Sequence, residues 1–129
     1  MSIPLFLTLD EVLQLHDYQT RQHGGDPAVL DMGKLESAIA QPRQMFAGEY
    51  LHADLASMAA AYLYHIVQNH AFADGNKRTG THAAIAFLGI NGCDLDYPPD
   101  ATEQLVLGVA QGQISKEQVA AFFRKLIAD

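Results

Sequence analysis

Apolar side chains recur every three to four residues over most of this chain, the period of helices packed by one face. Thr8, followed three residues later by Glu11, makes a capping-box start, and Leu9, Val12, Leu13 and His16 then share a face. This first helix is expected to stop near Gly24-Gly25, with a loop through Pro27 after it. A second helix is predicted from about Gly33, with Leu35, Ala38 and Ile39 inward. It ends or bends at Pro42, because proline inside a helix removes a hydrogen bond and clashes with the preceding turn. Met45 to Ala53 contains Gly48 and aromatic residues and fits a loop or a short hairpin.

From Asp54 the pattern is strongest. Leu55, Met58, Ala59, Tyr62, Leu63, Ile66 and Val67 recur at helical spacing, with Asp54 as N-cap and an end around Asn69-His70. Beyond the polar loop Ala73-Asp74-Gly75, a helix is predicted from about Asn76 to Asn91. Its body, Ala83 to Leu88, is apolar nearly all round, which predicts the buried helix at the centre of the fold, stopped by Gly92. Pro98-Pro99 mark a loop, and Asp100 is expected to cap a helix that runs to about Gln111. Ser115 with Gln118 opens the last helix, whose stripe is Val119, Phe122, Phe123, Leu126 and Ile127. The expectation is one all-α domain over residues 1–129, about six helices around a central buried one, with at most a short hairpin.

Composition narrows the function more than the fold. The 129 residues suit a single core. A net charge of −7 argues against bulk nucleic acid as the partner, although a local cluster can still grip phosphate. The single cysteine, Cys93, rules out an internal disulfide and reads as a half-buried structural residue in a reducing compartment. The apolar start Ile3 to Leu7 is too short for a signal segment, and no apolar run approaches the roughly 20 residues of a membrane helix. A cytoplasmic protein is expected.

One segment carries chemistry: His70-Ala71-Phe72-Ala73-Asp74-Gly75-Asn76-Lys77-Arg78-Thr79. Gly75 permits a sharp turn. The helix after it points unpaired N–H groups and its positive dipole end at the loop, which makes an anion site. Arg78 can hold a phosphate through two parallel hydrogen bonds, and Lys77 adds charge. Asp74 is a hard oxygen ligand for Mg²⁺, and His70, as an imidazole, can take a proton from an attacking hydroxyl. Phe72 anchors the loop in the core. Taken singly, such residues are ordinary caps and solvated charges; a plain connector between helices does not need them all together. Base, metal ligand, anion hole and clamp are the parts of a phosphoryl- or nucleotidyl-transfer site.

Other motifs carry less. Gly75 and Gly80 have P-loop spacing, but Thr81 and His82 stand where that motif needs Lys and Ser or Thr, and the segment follows a helix rather than a strand. The six histidines form no helical zinc pair; His65 reads as a packed helix residue and His82 as core. A ribonuclease using His70 with Lys77 or Arg78 is chemically conceivable, against an acidic surface.

The string His-x-Phe-x-Asp-Gly-Asn-Lys-Arg-Thr resembles the signature of the Fic/Doc (Fido) superfamily, and specifically its death-on-curing branch. Leu15-His16-Asp17, Gly24-Gly25, Ala61-Tyr62-Leu63 and Gly112-Gln113-Ile114-Ser115 extend the resemblance along the chain. It implies an all-helical Fido fold. Fic enzymes typically move AMP from ATP to a protein hydroxyl, with the motif H-P-F-x-[DE]-G-N-G-R-x-x-R. Here Ala71 stands for the proline, Lys77 for the second glycine and Thr81 for the last arginine. The death-on-curing branch shares the lysine and lacks that arginine. Its members resemble kinases that transfer the γ-phosphate to a threonine of elongation factor Tu and arrest translation. By this resemblance His70 is the general base, Asp74 the Mg²⁺ ligand, and Gly75, Asn76, Lys77, Arg78 and Thr79 the ATP-phosphate contacts. Residues 45–53 would be a flap that aligns the target peptide. An antitoxin acting in trans is implied as partner, since no inhibitory [ST]-x-x-x-E-[GN] string is present. The alternatives are AMP transfer and a catalytically silent interaction module.

Overall fold

Helix starts in the computed structural model, which describes residues 3–128, follow local capping chemistry. Helix α1 (Leu9–His23) begins at Thr8. The Thr8 hydroxyl accepts from the Glu11 N–H at 3.2 Å, and the Glu11 carboxylate accepts from the Thr8 N–H at 2.9 Å. Asp31 caps α2 (Met32–Ala40) through the Lys34 N–H at 3.0 Å. Pro42 then turns the chain into a single 3₁₀ turn, Gln41–Arg43. Asp54 caps α3 (Leu55–Asn69) by accepting from the Ser57 N–H at 2.8 Å. Helices α4 (Asn76–Ile90), α5 (Pro99–Ala110) and α6 (Lys116–Ala128) complete the set, the last opened by the reciprocal Ser115–Gln118 box.

The undecided 45–53 segment is a hairpin. Strand β1 (Met45–Phe46) pairs antiparallel with β2 (Glu49–Tyr50) across Ala47-Gly48, both with positive φ. Its tip is open: Phe46 is 74% exposed. The domain is thus all-α with one short hairpin, as expected. Among the described residues, no helix is long and apolar enough to cross a membrane.

Two expectations need correction. The central helix is α3, not α4. Nine of its residues, from Ala56 to Val67, are buried, and it packs against α2, the 3₁₀ turn, α4, α5 and α6. Helix α4 exposes His82, Gly89 and Ile90 on either side of its apolar run, while the run itself, Ala83 to Leu88, is buried or half-buried throughout, as expected. Small residues explain the difference. Ala56, Ala59, Ala60 and Ala61 of α3 are buried and let neighbours come close, which hydrophobicity alone does not signal. At the α3–α4 crossing, a side chain on Gly80 would lie 2.9 Å from Val67 Cγ2 and 3.1 Å from the Leu63 carbonyl oxygen. Gly80 therefore serves helix packing, which accounts for the P-loop-like spacing. The second correction is Asp100. Helix α5 starts two residues earlier than that cap implies, at Pro99 after Pro98, so Asp100 lies in the first turn, where its charge suits the dipole without capping.

Candidate active site

The 70–79 loop is held from three sides. Phe72 is buried at its centre, and the His16 ring lies flat on it, with centroids 3.7 Å apart and planes 7° from parallel. His16 Nε2 donates to the Asp74 carbonyl oxygen at 2.8 Å. Asn76 closes the loop from within: its Oδ1 accepts from the Phe72 N–H at 3.1 Å, and its Nδ2 donates to the Phe72 carbonyl at 2.9 Å. On the third side the chain between α1 and α2 pairs with the loop. Val29 bridges Phe72, the Leu30 N–H donates to Ala71 O at 2.8 Å, and the Ala73 N–H donates to Ala28 O at 3.0 Å.

The two ends of the loop are built by backbone geometry. His70 ends α3 in the left-handed conformation, φ 49° and ψ 45°, which breaks the helix and keeps the imidazole on the surface. Few residues other than glycine adopt that conformation. Gly75 stands at the start of α4 with φ 83°. A side chain there would also lie 3.4 Å from the His16 ring, so both angle and space favour glycine.

Asp74, Gly75 and Arg78 form one wall of a cleft of about 270 Å³. The other wall is Gln19, Thr20 and His23 of α1 with Gly24-Gly25. The cleft therefore opens on the start of α4, whose first N–H groups have no partner within the helix. Asp74 Oδ2 accepts from the Asp26 N–H at 2.8 Å, which fixes the carboxylate. Gly25 makes room for it, since a side chain at Gly25 would lie 3.2 Å from Asp74 Cβ.

The predicted residues separate into three groups. Asp74, Gly75 and Arg78 meet at the cleft. His70 and Lys77 are exposed and lie outside its lining. Asn76 and Thr79 turn inward. The Asn76 amide is occupied by Phe72, and Thr79 is fully buried. Its hydroxyl has no hydrogen-bond partner among the described residues. His82, expected in the core, is on the surface; partial burial and the nearby His23 and Arg78 lower its pKa. Cys93 is half-buried, and His65 is a half-buried helix residue beside Lys116.

Sequence reasoning missed the α1 side of the site. His16 was placed on an inward face, yet an ionisable ring among Leu9, Val12 and Leu13 was itself the signal, because such a group needs a partner. Gln19, Thr20 and His23 carried no motif.

In the donor set, Asp74 is the one carboxylate lining the cleft. Among the described residues no three His, Cys, Asp or Glu side chains gather as a metal site. One carboxylate beside an anion site fits a cation that takes its other ligands from phosphate and water, as Mg²⁺ does.

Residues 6–88 match the profile of the Fic/DOC family. A relative named "Protein kinase doc", of Escherichia phage P1, is 35% identical over 117 residues, 91% of each chain. A second, "Toxin Doc" of Mycolicibacterium smegmatis, is 40% identical over 100 residues, 76% of this chain and 77% of that one. The profile match takes in the whole loop, all of α3 and nearly all of α4, and on these grounds the chain belongs to the Fic/DOC family.

Proposed function

We propose that this domain is a toxin of the Doc type, a protein kinase that transfers the γ-phosphate of ATP to a serine or threonine hydroxyl of a translation factor. The observation that carries the reading is the meeting of Asp74, Gly75 and Arg78 in one cleft at the start of α4. Polyphosphate needs that combination of anion site, clamp and metal ligand. The name of the phage P1 relative, a protein kinase, supports phosphoryl rather than nucleotidyl transfer.

In this mechanism Arg78 and the α4 N–H groups bind the phosphates, with Lys77 adding charge at the rim. Asp74 would hold Mg²⁺, which when bound offsets phosphate charge and orients the triphosphate. His70 takes the proton of the acceptor hydroxyl as its oxygen bonds to the γ-phosphorus. The bond from that phosphorus to the β–γ bridging oxygen breaks, and ADP leaves. The hairpin aligns the acceptor segment by strand pairing. The protein works in the cytoplasm, and an antitoxin restrains it in trans.

ATP labelled at the γ- or at the α-phosphate tests the reaction on an elongation factor Tu-like substrate. Label from the γ position alone is expected. Transfer from the α position alone would establish AMP transfer in its place, and no transfer with intact binding would leave an interaction module.

A further inference from the structure

Three side chains able to carry positive charge gather where α1 faces α4. His23 and Arg78 line opposite walls of the cleft. His82 follows Arg78 by one turn of α4, which puts the two on one face of that helix. Burial lowers the pKa of the His82 ring, and the charges of His23 and Arg78 lower it further, with no carboxylate acting against them. Both cleft-lining groups are therefore close enough to His82 to repel its protonated form. Asp74 is the one carboxylate in the lining, and it pairs with none of the three. Among the described residues the ion pairs are Arg21–Asp17 and Arg124–Asp54.

Helix stability does not account for this grouping. A cation in the last turn of α1 suits the dipole, which explains His23 alone. Arg78 is the third residue of α4, at the end where the dipole opposes positive charge. Like charges one turn apart on a helix also repel. The chain carries 15 acidic residues against eight lysines and arginines, so uncompensated positive charge is scarce, and here it is concentrated beside one cleft. An anion in that space turns the repulsion into attraction. One phosphate is already served by the free N–H groups at the start of α4 and by Arg78. His23 and His82 are donors beyond that need, and His82 lies one turn further along the helix.

We propose that His23 and His82 form, with Arg78, a subsite for a second phosphate group of the nucleotide, linked to the one held at the start of α4. The proposal rests on the nucleotide reading given above and adds two binding residues to it. Each imidazole donates an N–H to a phosphate oxygen, a hydrogen bond strengthened by the charge of its acceptor. No covalent bond is made or broken by either ring.

His23→Asn and His82→Asn test the subsite. Both positions are exposed, so both variants should melt with the wild type. Calorimetric titration with ATP in excess Mg²⁺ should show each variant binding roughly tenfold more weakly, the loss of one hydrogen bond to a charged group. AMP, with its single phosphate, should bind the variants as it binds the wild type. Equal weakening toward ATP and AMP would put the imidazoles on the first phosphate or the nucleoside and overturn the proposal. A lower melting temperature with unchanged ATP affinity would make the pair structural and overturn it as well. A wild-type protein that binds no ATP would remove the nucleotide reading itself. A wild type that binds ATP, beside variants that bind it equally well, would remove this inference alone.

Discussion

His16 and Asp74, 58 residues apart, are joined by one hydrogen bond of 2.8 Å from the ring Nε2 to the backbone carbonyl. A carbonyl can only accept, so His16 holds its proton on Nε2, and the ring orientation is fixed by its stack on Phe72. Helix α1 thereby sets the position of the residue proposed to meet Mg²⁺. His16→Leu fills much of the space but removes the donor of this part-buried bond, at a cost of about 1–3 kcal/mol. The expected result is a lower melting temperature together with weaker binding of the magnesium complex of ATP. A variant as stable as the wild type would refute the structural role given to this bond.

Phe72 is the other half of the stack, and it is 1% exposed. Phe72→Ala removes a buried ring that His16 and the loop rest on, and should cost on the order of 3–5 kcal/mol. Because the loop is built around that ring, nucleotide binding should fall along with stability. Chemical denaturation measures the first and calorimetry the second. A loss under 1 kcal/mol would show that the loop does not depend on this anchor.

His70 allows the chemistry to be separated from the fold. Its left-handed conformation is one that asparagine tolerates better than most residues. The side chain is exposed, so His70→Asn should leave the melting temperature nearly unchanged. Phosphoryl transfer should fall by about 10²–10⁴-fold, the usual effect of removing a general base. Steady-state transfer at saturating ATP checks it, and a rate within a factor of a few of the wild type would assign the base elsewhere.

The place of the 70–79 loop and the helix starts were legible because both rest on local rules. Thr8 with Glu11, Asp54, and Ser115 with Gln118 act on N–H groups within three residues, so spacing in the sequence is enough. Gly75 and Asp74 were legible because they are next to each other in the chain. The misreadings concern packing between distant segments. The choice of α3 over α4 as centre depends on alanines whose small size matters only against a neighbour, and on Gly80 meeting Val67. The α1 wall of the cleft was invisible for the same reason: Gln19 and His23 come to the cleft only through the fold. The burial of Thr79 was not legible either: its place in the string says nothing of which way the fourth residue of a helix that begins at Asn76 turns, and this one turns toward the core.

The flap gives a prediction in which stability and function part company. Phe46 is 74% exposed on a two-stranded hairpin, so Phe46→Asp should change stability by no more than about 0.5 kcal/mol. If the hairpin pairs with the acceptor segment, the variant should transfer phosphate to the target protein more slowly and bind ATP as before. Rates with the protein acceptor against ATP affinity by calorimetry test this. Unchanged transfer to the acceptor would exclude the Phe46 end of the hairpin from substrate contact.

Acid should weaken the fold through His65. Burial is the largest influence on this ring, followed by the charge of Lys116, whose Nζ lies 3.2 Å from Nε2, and by His52; its pKa is lowered from 6.5 to about 4. The unfolded chain therefore binds a proton at His65 near pH 6.5, while the folded chain resists until about pH 4. Between those values the unfolded state holds more protons, so stability is complete above the window and falls as pH drops through it. His52 is shifted in the same direction, chiefly by burial, and adds to the fall. Asp54 acts in a separate range. The Arg124 hydrogen bond is the main influence holding its carboxyl at about 2, so its contribution persists until pH drops below 3.8. Melting temperatures from pH 7 to 4 should decline in the wild type and decline less in His65→Gln, which has no proton to take up. Parallel profiles for the two proteins would mean that His65 titrates normally in the folded state, with Lys116 too well solvated to matter.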